Sequence, residues 1–377
     1  MSALYVHIPF CKSRCIYCDF YSTTSLHLRQ RYVDALCKEM DVRKDYLNGG
    51  RINTIYFGGG TPSQLSIEQL SQIIHYIYNV YDIVQDAEIT IEINPDDVCP
   101  DFVYGLRQLP FNRISLGIQS FNESRLRFIN RRHTAEKAKE AVLLLQEAGY
   151  DNISIDLMFG FPEQTAEEWN NDIRQALQLN IQHISAYSLM YEEGTRLYSL
   201  LEKGNVTEID EELSLHMYRQ LIEQLRQAGF VHYEISNFCL PGMHSRHNSC
   251  YWNHTPYLGL GAAAHSFNGT CRHWNVHDLV RYIEQTENGE SVLAKEELTA
   301  DQQYNEYIMT RLRTQEGLCL DVLKEKFGEE RYGYCMENAR KYIEHDELVL
   351  EPDTGSLTIF DNGLYISNQI MSDLMIV

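Results

Sequence analysis

Apolar and polar residues alternate with two different periods along the first half of the chain. Residues 4–8 place Leu4, Val6 and Ile8 on one face, the two-residue period of a strand. Residues 31–46 change to helical spacing, with Val33, Leu36, Cys37 and Met40 on one stripe. Residues 52–57 are a short apolar strand running into Gly58-Gly59-Gly60. Residues 66–81 predict a second helix: Ser66 is a capping residue, Gln69 follows at the capping-box position, and Leu70, Ile73, Ile74 and Ile77 form the stripe. Further strands are predicted over 88–93, 113–118, 153–158 and 183–189, and helices over 134–148 and 167–179. Gly149 is the expected residue just past a helix end. Strands separated by helical crossovers build a parallel α/β sheet. Periodicity alone leaves an open sheet and a partial barrel equally possible.

The pattern changes after Leu189. Residues 210–228 predict a long amphipathic helix closed by Gly229. The stretch 231–267 has no clean period and is rich in His, Asn, Tyr and Gly. From about Thr299 a smaller helical region begins. It ends in a predicted β-hairpin, residues 348–351 and 356–359 around Pro352-Asp353-Thr354-Gly355. Helices followed by a hairpin suggest a small α+β, winged-helix-like module. The expected organisation is thus residues 1–235, a connecting region 236–298, and a C-terminal domain 299–377.

Composition narrows the partners. The chain has 377 residues, 44% apolar and 11% aromatic, enough for a sizeable core. Against 32 Lys and Arg stand 53 Asp and Glu, a balance of −21. Such a surface repels phosphate backbones and anionic lipid, so no nucleic-acid partner is expected. No apolar run reaches the ~18 residues a membrane span needs, and the first ten residues lack the pattern of a signal peptide. A cytoplasmic, reducing location follows as the expectation, with no membrane anchor. Any membrane contact is then peripheral and through a partner.

Chemistry concentrates in Cys11-Lys12-Ser13-Arg14-Cys15-Ile16-Tyr17-Cys18, directly after the first strand. Three thiolates at this spacing on one loop hold three corners of an iron–sulfur cubane and leave the fourth iron open. Lys12 and Arg14 are expected to help keep the sulfurs deprotonated. Zinc competes for thiolates, but a structural zinc site closes with four ligands.

This spacing within a βα series resembles the radical SAM superfamily. Gly58-Gly59-Gly60-Thr61-Pro62 is similar to that superfamily's glycine-rich motif, and Tyr17 matches its adenine-contacting aromatic residue. The likeness sharpens to the branch that holds the oxygen-independent coproporphyrinogen III oxidases and the HemW-type heme chaperones. It covers essentially the whole chain. It rests on Tyr5 to Cys11, Glu92-Ile93-Asn94-Pro95, the run Ser115 to Phe121, Asn130-Arg131-Arg132-His133 and Asp156 to Gly160. The resemblance implies a partial (β/α)6 TIM-type barrel, a 4Fe–4S cluster on Cys11, Cys15 and Cys18, and S-adenosylmethionine (SAM). By the same resemblance the SAM contacts are Tyr5, Tyr17, Gly59, Gly60, Thr61, Glu92, Gln119, Arg131, Asp156 and Met190.

Within that branch two departures separate oxidase from chaperone. The oxidases carry a fourth cysteine two residues after the third, where this chain has Phe20, and a long extension before the cluster motif, where this chain has ten residues. His247-Asn248-Ser249-Cys250-Tyr251-Trp252 also resembles the H-N-x-x-Y-W signature of the chaperones. The resemblance thus implies a chaperone that binds heme and delivers it to client hemoproteins, with coproporphyrinogen III oxidase as the alternative. Whether the chain is an enzyme stays open. His247, Cys250, Tyr251 and Trp252 are the candidate heme-binding residues, on the reasoning that imidazole or thiolate ligates iron and aromatic faces cover a porphyrin. His244, His254 and His265 lie nearby, so the axial ligand is left open.

Overall fold

The computed structural model describes residues 1–290 and 293–376. Six parallel strands lie side by side in chain order: β1 (Ser2–Ile8), β2 (Ile52–Gly59), β3 (Ile83–Ile93), β4 (Arg113–Gln119), β5 (Ile153–Phe159) and β6 (His183–Ser188). β1 is buried at every position but Tyr5, as a strand covered on both faces must be. Helices fill the outer layer. The helix Ile67–Val80 begins in the predicted capping box: Ser66 Oγ accepts from the Gln69 amide, and Gln69 Oε1 accepts from the Ser66 amide. Gly149 follows the helix Ala135–Glu147 at φ +86°, as predicted.

The six-stranded arc is a partial barrel, as the resemblance implied. It is extended at both edges instead of being closed. Beyond β6 lie β7 (Val231–Glu234) and β8 (Asn237–Cys239), and β8 pairs antiparallel with β6. Beyond β1 lie β9 (Tyr257–Leu260), β10 (His265–Phe267), β11 (Cys271–Asn275) and β12 (Leu293–Glu297). β9 runs parallel to β1, and the others continue antiparallel. The region 236–298, expected to connect and to carry the heme segment, supplies five strands of the main sheet. Each is five residues or shorter, too brief to show a period.

A short helix, Arg246–Trp252, packs against β1 and β2 on the inside of the arc. The Glu88 carboxylate on β3 accepts from its first two amides, at 3.0 and 2.9 Å. The C-terminal region has its own core around Tyr304, Leu323, Leu357 and Ile370. Its order is helix Ala300–Arg311, strand β13 (Leu318–Cys319), a helical run Leu320–Glu344 bent at Gly328, then the hairpin β14 (Leu348–Glu351) and β15 (Ser356–Ile359). That is the winged-helix order, and the hairpin lies where the sequence places it. No helix among the described residues is long and apolar enough to cross a membrane.

Candidate functional site

The cysteine loop leaves the C-terminal end of β1, the end where α/β barrels build their sites. Three backbone–backbone bonds and one from Asn130 Nδ2 to Arg14 O pin the loop. The Cys11 amide donates to Thr23 O, the Ile16 amide to Ile129 O, and Ile16 O accepts from Leu197. Ile16 is buried in a small separate core with Ile129, Phe161 and Leu197. This apolar anchor in mid-motif carries no signal in the sequence beyond being the one aliphatic residue among the cysteines. The Cys11 thiol lies 3.4 Å from Thr61 Oγ1.

All three cysteines line a cavity of about 420 Å³ inside the arc. Tyr17, Gly59, Gly60, Thr61, Glu92, Gln119, Arg131, Asp156 and Met190 line it too, so nine of the ten expected SAM contacts meet the cysteines there. Tyr5 does not. Its hydroxyl bonds His7 Nδ1, and it lines a neighbouring cavity. Among the described residues no three His, Cys, Asp or Glu side chains are grouped for a single metal ion. A cubane asks for a different geometry, one thiolate on each of three irons.

The charges around the sulfurs differ from the expectation. Lys12 is turned away, its Nζ 2.7 Å from Asp97 Oδ1, and Arg14 is exposed. Asp97 also accepts from Ser63 Oγ at 2.7 Å and Gln64 Nε2, so it ties the cysteine loop to the turn after β2. Burial pushes the Cys11 thiol up and the Cys18 thiol up to about 11. Lys12 is engaged elsewhere, and a bound metal would hold these two sulfurs as thiolates. The cation that reaches the cysteine sulfurs is Arg131, its Nη1 3.7 Å from Cys15 Sγ.

Arg131 is held across the end of β4. Nη1 donates to Asn94 Oδ1 at 3.1 Å, and Nη2 donates to Gly117 O. A Cβ on Gly117 would meet Arg131 Nη2 at 2.5 Å, so this glycine makes room for the guanidinium. Gln119 stands at φ +72° where the β4–β5 register shifts, a left-handed backbone that a glutamine pays for. Ser120 Oγ–H and the Phe121 amide then donate to the buried Asp172, at 2.6 and 3.0 Å, and fix the bend.

The glycine run has a reason the sequence could not show. A Cβ on Gly59 would lie 2.4 Å from the His7 ring, and one on Gly60 would lie 2.8 Å from Ile8 O. These glycines allow β2 to close on β1 and carry Thr61 to the thiols. Two carboxylates face the same cavity. Glu92 accepts from Tyr56 Oη at 2.7 Å and from the Gly59 amide at 3.2 Å, and burial pushes it up to about 7. Asp156 sits beside the Ser185 and Ser115 hydroxyls, and burial pushes it up to about 6.

The donor set fits the cofactors the motif implies. Three free cysteines line the cavity, and among the described residues the buried Nε atoms of Arg131 and Arg113 are without partners, with Glu92 and Asp156 on the same cavity. A ligand with both an ammonium and a carboxylate group matches that pairing of charges.

The candidate heme segment is dispersed by its own helix. His247 is buried: Nδ1 lies 2.9 Å from Thr54 Oγ1, Nε2 lies 3.0 Å from Tyr251 Oη, and its ring stacks on Tyr56. Burial holds its pKa down at about 3. The Cys250 thiol is also buried and donates to Arg246 O. Tyr251 and Trp252 do not form one platform, because neighbours on a helix point about 100° apart. Tyr251 lines the second cavity, whereas Trp252 lies under the Arg313 guanidinium of the C-terminal region, 4.5 Å from the ring. In this arrangement His247 locks the helix into the arc. His247→Ala should therefore destabilise the apo chain by about 2–4 kcal/mol, since it leaves a void, strips the Tyr251 hydroxyl of its partner and leaves Thr54 only the long contact to Cys250 Sγ. Urea denaturation of wild type and variant measures this.

Comparison with known proteins defines the class first. Residues 5–176 match the model of the radical SAM superfamily. The heme chaperone HemW of Lactococcus lactis is 32% identical over 378 residues, covering 100% of this chain and 97% of that protein. HemW of Bacillus subtilis is 36% identical over 87% of each chain. The fold is that of the coproporphyrinogen III oxidase HemN of Escherichia coli, with a TM-score of 0.85 at 23% identity, covering 99% of this chain and 90% of that one. The chain belongs to the radical SAM superfamily and, within it, to the HemW family. Its cofactors are accordingly a 4Fe–4S cluster and SAM.

Proposed function

We propose that this protein is a heme chaperone, binding heme and passing it to client hemoproteins, with a 4Fe–4S cluster and SAM in the first cavity. The supporting observation is the full-length likeness to HemW proteins, together with Phe20 where the oxidases have their fourth cysteine. Cys11, Cys15 and Cys18 hold the cluster. When bound, the cluster and SAM would together supply reductive cleavage of the sulfonium. Arg131 takes the SAM carboxylate, a charge-assisted pairing. Glu92 accepts from the SAM amino group, Asp156 from the ribose, and Gly59 to Thr61 line the approach. Tyr17 covers the adenine, with Gln119 and Met190 completing the wall. The acidic surface argues against nucleic acid, and we place the protein in the cytoplasm, meeting membranes through a partner.

Heme titration of the anaerobically reconstituted protein tests the reading. A Soret change on binding, and transfer of that heme to an apo-hemoprotein, are expected. No Soret change, or decarboxylation of coproporphyrinogen III at enzyme-like turnover, overturns it and favours the oxidase.

The Glu92 role carries its own pH test. A carboxyl at about 7 is increasingly protonated below neutrality and then accepts poorly from the SAM amino group. SAM affinity should fall up to about tenfold per pH unit below 7, and Glu92→Gln should flatten that slope. Equilibrium dialysis across pH 5.5 to 8 reads it.

A further inference from the structure

Beside the cluster cavity lies a second one of about 490 Å³, between β1 and the β9–β11 extension. Its size is that of a small-molecule site. Tyr5, Tyr21, Tyr251 and Tyr257 give it aromatic walls, and the exposed Phe20 forms an apolar lip. The hydroxyls of Tyr5, Tyr21 and Tyr251 are already engaged with His7, the Leu279 amide and His247. The rings are therefore fixed in place. Residues Arg14, Asp19, Phe20 and Ser22 border both cavities, so the cysteine loop is their common wall.

The imidazoles of this cavity fall into two kinds. His7 has both nitrogens occupied, by Tyr5 Oη and Tyr21 O at 3.0 Å each. His265 and His277 are exposed, and among the described residues neither ring has a hydrogen-bond partner. Their centroids are 6.2 Å apart with the planes nearly perpendicular. His265 is the better fixed, on strand β10 with its ring stacked on Trp274. An iron ligand needs a free nitrogen lone pair, which His247 lacks and His265 has. Arg14 is the cation at the rim, and it forms no ion pair among the described residues.

We propose that the heme cargo sits in this second cavity, with His265 as the axial ligand of its iron, His277 beside it, and Arg14 on a propionate. The aromatic walls cover the porphyrin faces, and a guanidinium is the natural partner of a carboxylate. This rests on the heme-chaperone reading and assigns its site away from the His247 signature. It also places the cargo against the loop that carries the cluster.

The test uses the full chain with its cluster reconstituted, titrated with hemin and followed by Soret position and low-temperature EPR. His265→Ala should shift the Soret band, change the EPR signature and weaken binding about tenfold or more. His277→Ala should do less. Arg14→Ala should weaken binding with the Soret position unchanged, because it removes a propionate contact and not a ligand. Both histidines are exposed, so the variants should keep the wild-type circular dichroism and cluster absorbance. If wild type binds hemin and His265→Ala retains the same Soret, EPR and affinity, the site is overturned while the chaperone reading stands. If wild type gives no Soret change, both fall.

Discussion

Cys18→Ser should abolish the cluster and leave the chain folded. After anaerobic reconstitution, bound iron, acid-labile sulfide and visible absorbance should fall to background, and SAM binding should weaken with them. A serine oxygen is a hard ligand and stays protonated near neutrality, whereas a cluster iron needs a soft thiolate. With three protein thiolates on four irons, no spare ligand compensates. The fold should survive because the loop is held by other bonds. The Ile16 amide and carbonyl, the Cys11 amide and the Ile16 side chain all anchor it without using a sulfur. The apo stability of Cys18→Ser should thus lie within about 1 kcal/mol of wild type. Cys11→Ser should give the same loss of iron. Cys99→Ser, an exposed thiol outside the motif, should leave the iron content unchanged. A full cluster in Cys18→Ser would overturn the assignment.

The sequence already carries most of this site, for a physical reason. Cluster ligands cluster in sequence because one loop must present them together, so a C-x3-C-x2-C is readable. The parallel strands are long enough to show their period, and the Ser66 capping box and the Gly355 hairpin turn follow local rules. What the sequence hides is set by distant contacts. Gly59 and Gly60 are small because β1 lies against them, and Gly117 is small because Arg131 crosses it. Arg131, not Lys12 or Arg14, is the cation at the sulfurs, since Asp97 on another strand's loop captures Lys12. The H-N-x-x-Y-W segment reads as one heme platform only if its residues face one way. A seven-residue helix plugged into the arc sends them to three different surroundings. The five short main-sheet strands within 236–298 have too few residues each for a period, and only their pairing defines them.

Glu39→Ala should be the most damaging single change outside the cysteine loop. Glu39 and Arg43 lie on the first helix, Arg29–Arg43, and both are buried. The Glu39 carboxylate accepts four hydrogen bonds: from Arg43 Nη1 at 3.1 Å, Asn275 Nδ2 at 2.7 Å, the Gly261 amide at 2.8 Å and Tyr282 Oη at 2.6 Å. Arg43 in turn donates to Gly259 O at 2.8 Å and Ser266 Oγ at 2.9 Å. Apart from Tyr282 on the helix Leu279–Glu287, these partners lie on or beside β9, β10 and β11, so one ion pair fastens the sheet extension to the barrel. Removing the carboxylate strands a buried guanidinium and frees three further donors. Breaking a buried pair from one side costs about 3–5 kcal/mol, a large share of the ~5–15 kcal/mol that holds a domain together. Arg43→Ala should cost a similar amount by stranding Glu39. The double replacement Glu39→Ala with Arg43→Ala should cost less than the sum of the singles, because no unpaired charge remains. Denaturant titration of the four apo proteins measures the cycle. A loss below about 1 kcal/mol in Glu39→Ala would show that water enters and pairs Arg43. Because His265 sits on the strand this network secures, Glu39→Ala should also lose hemin binding at temperatures where its circular dichroism is still native.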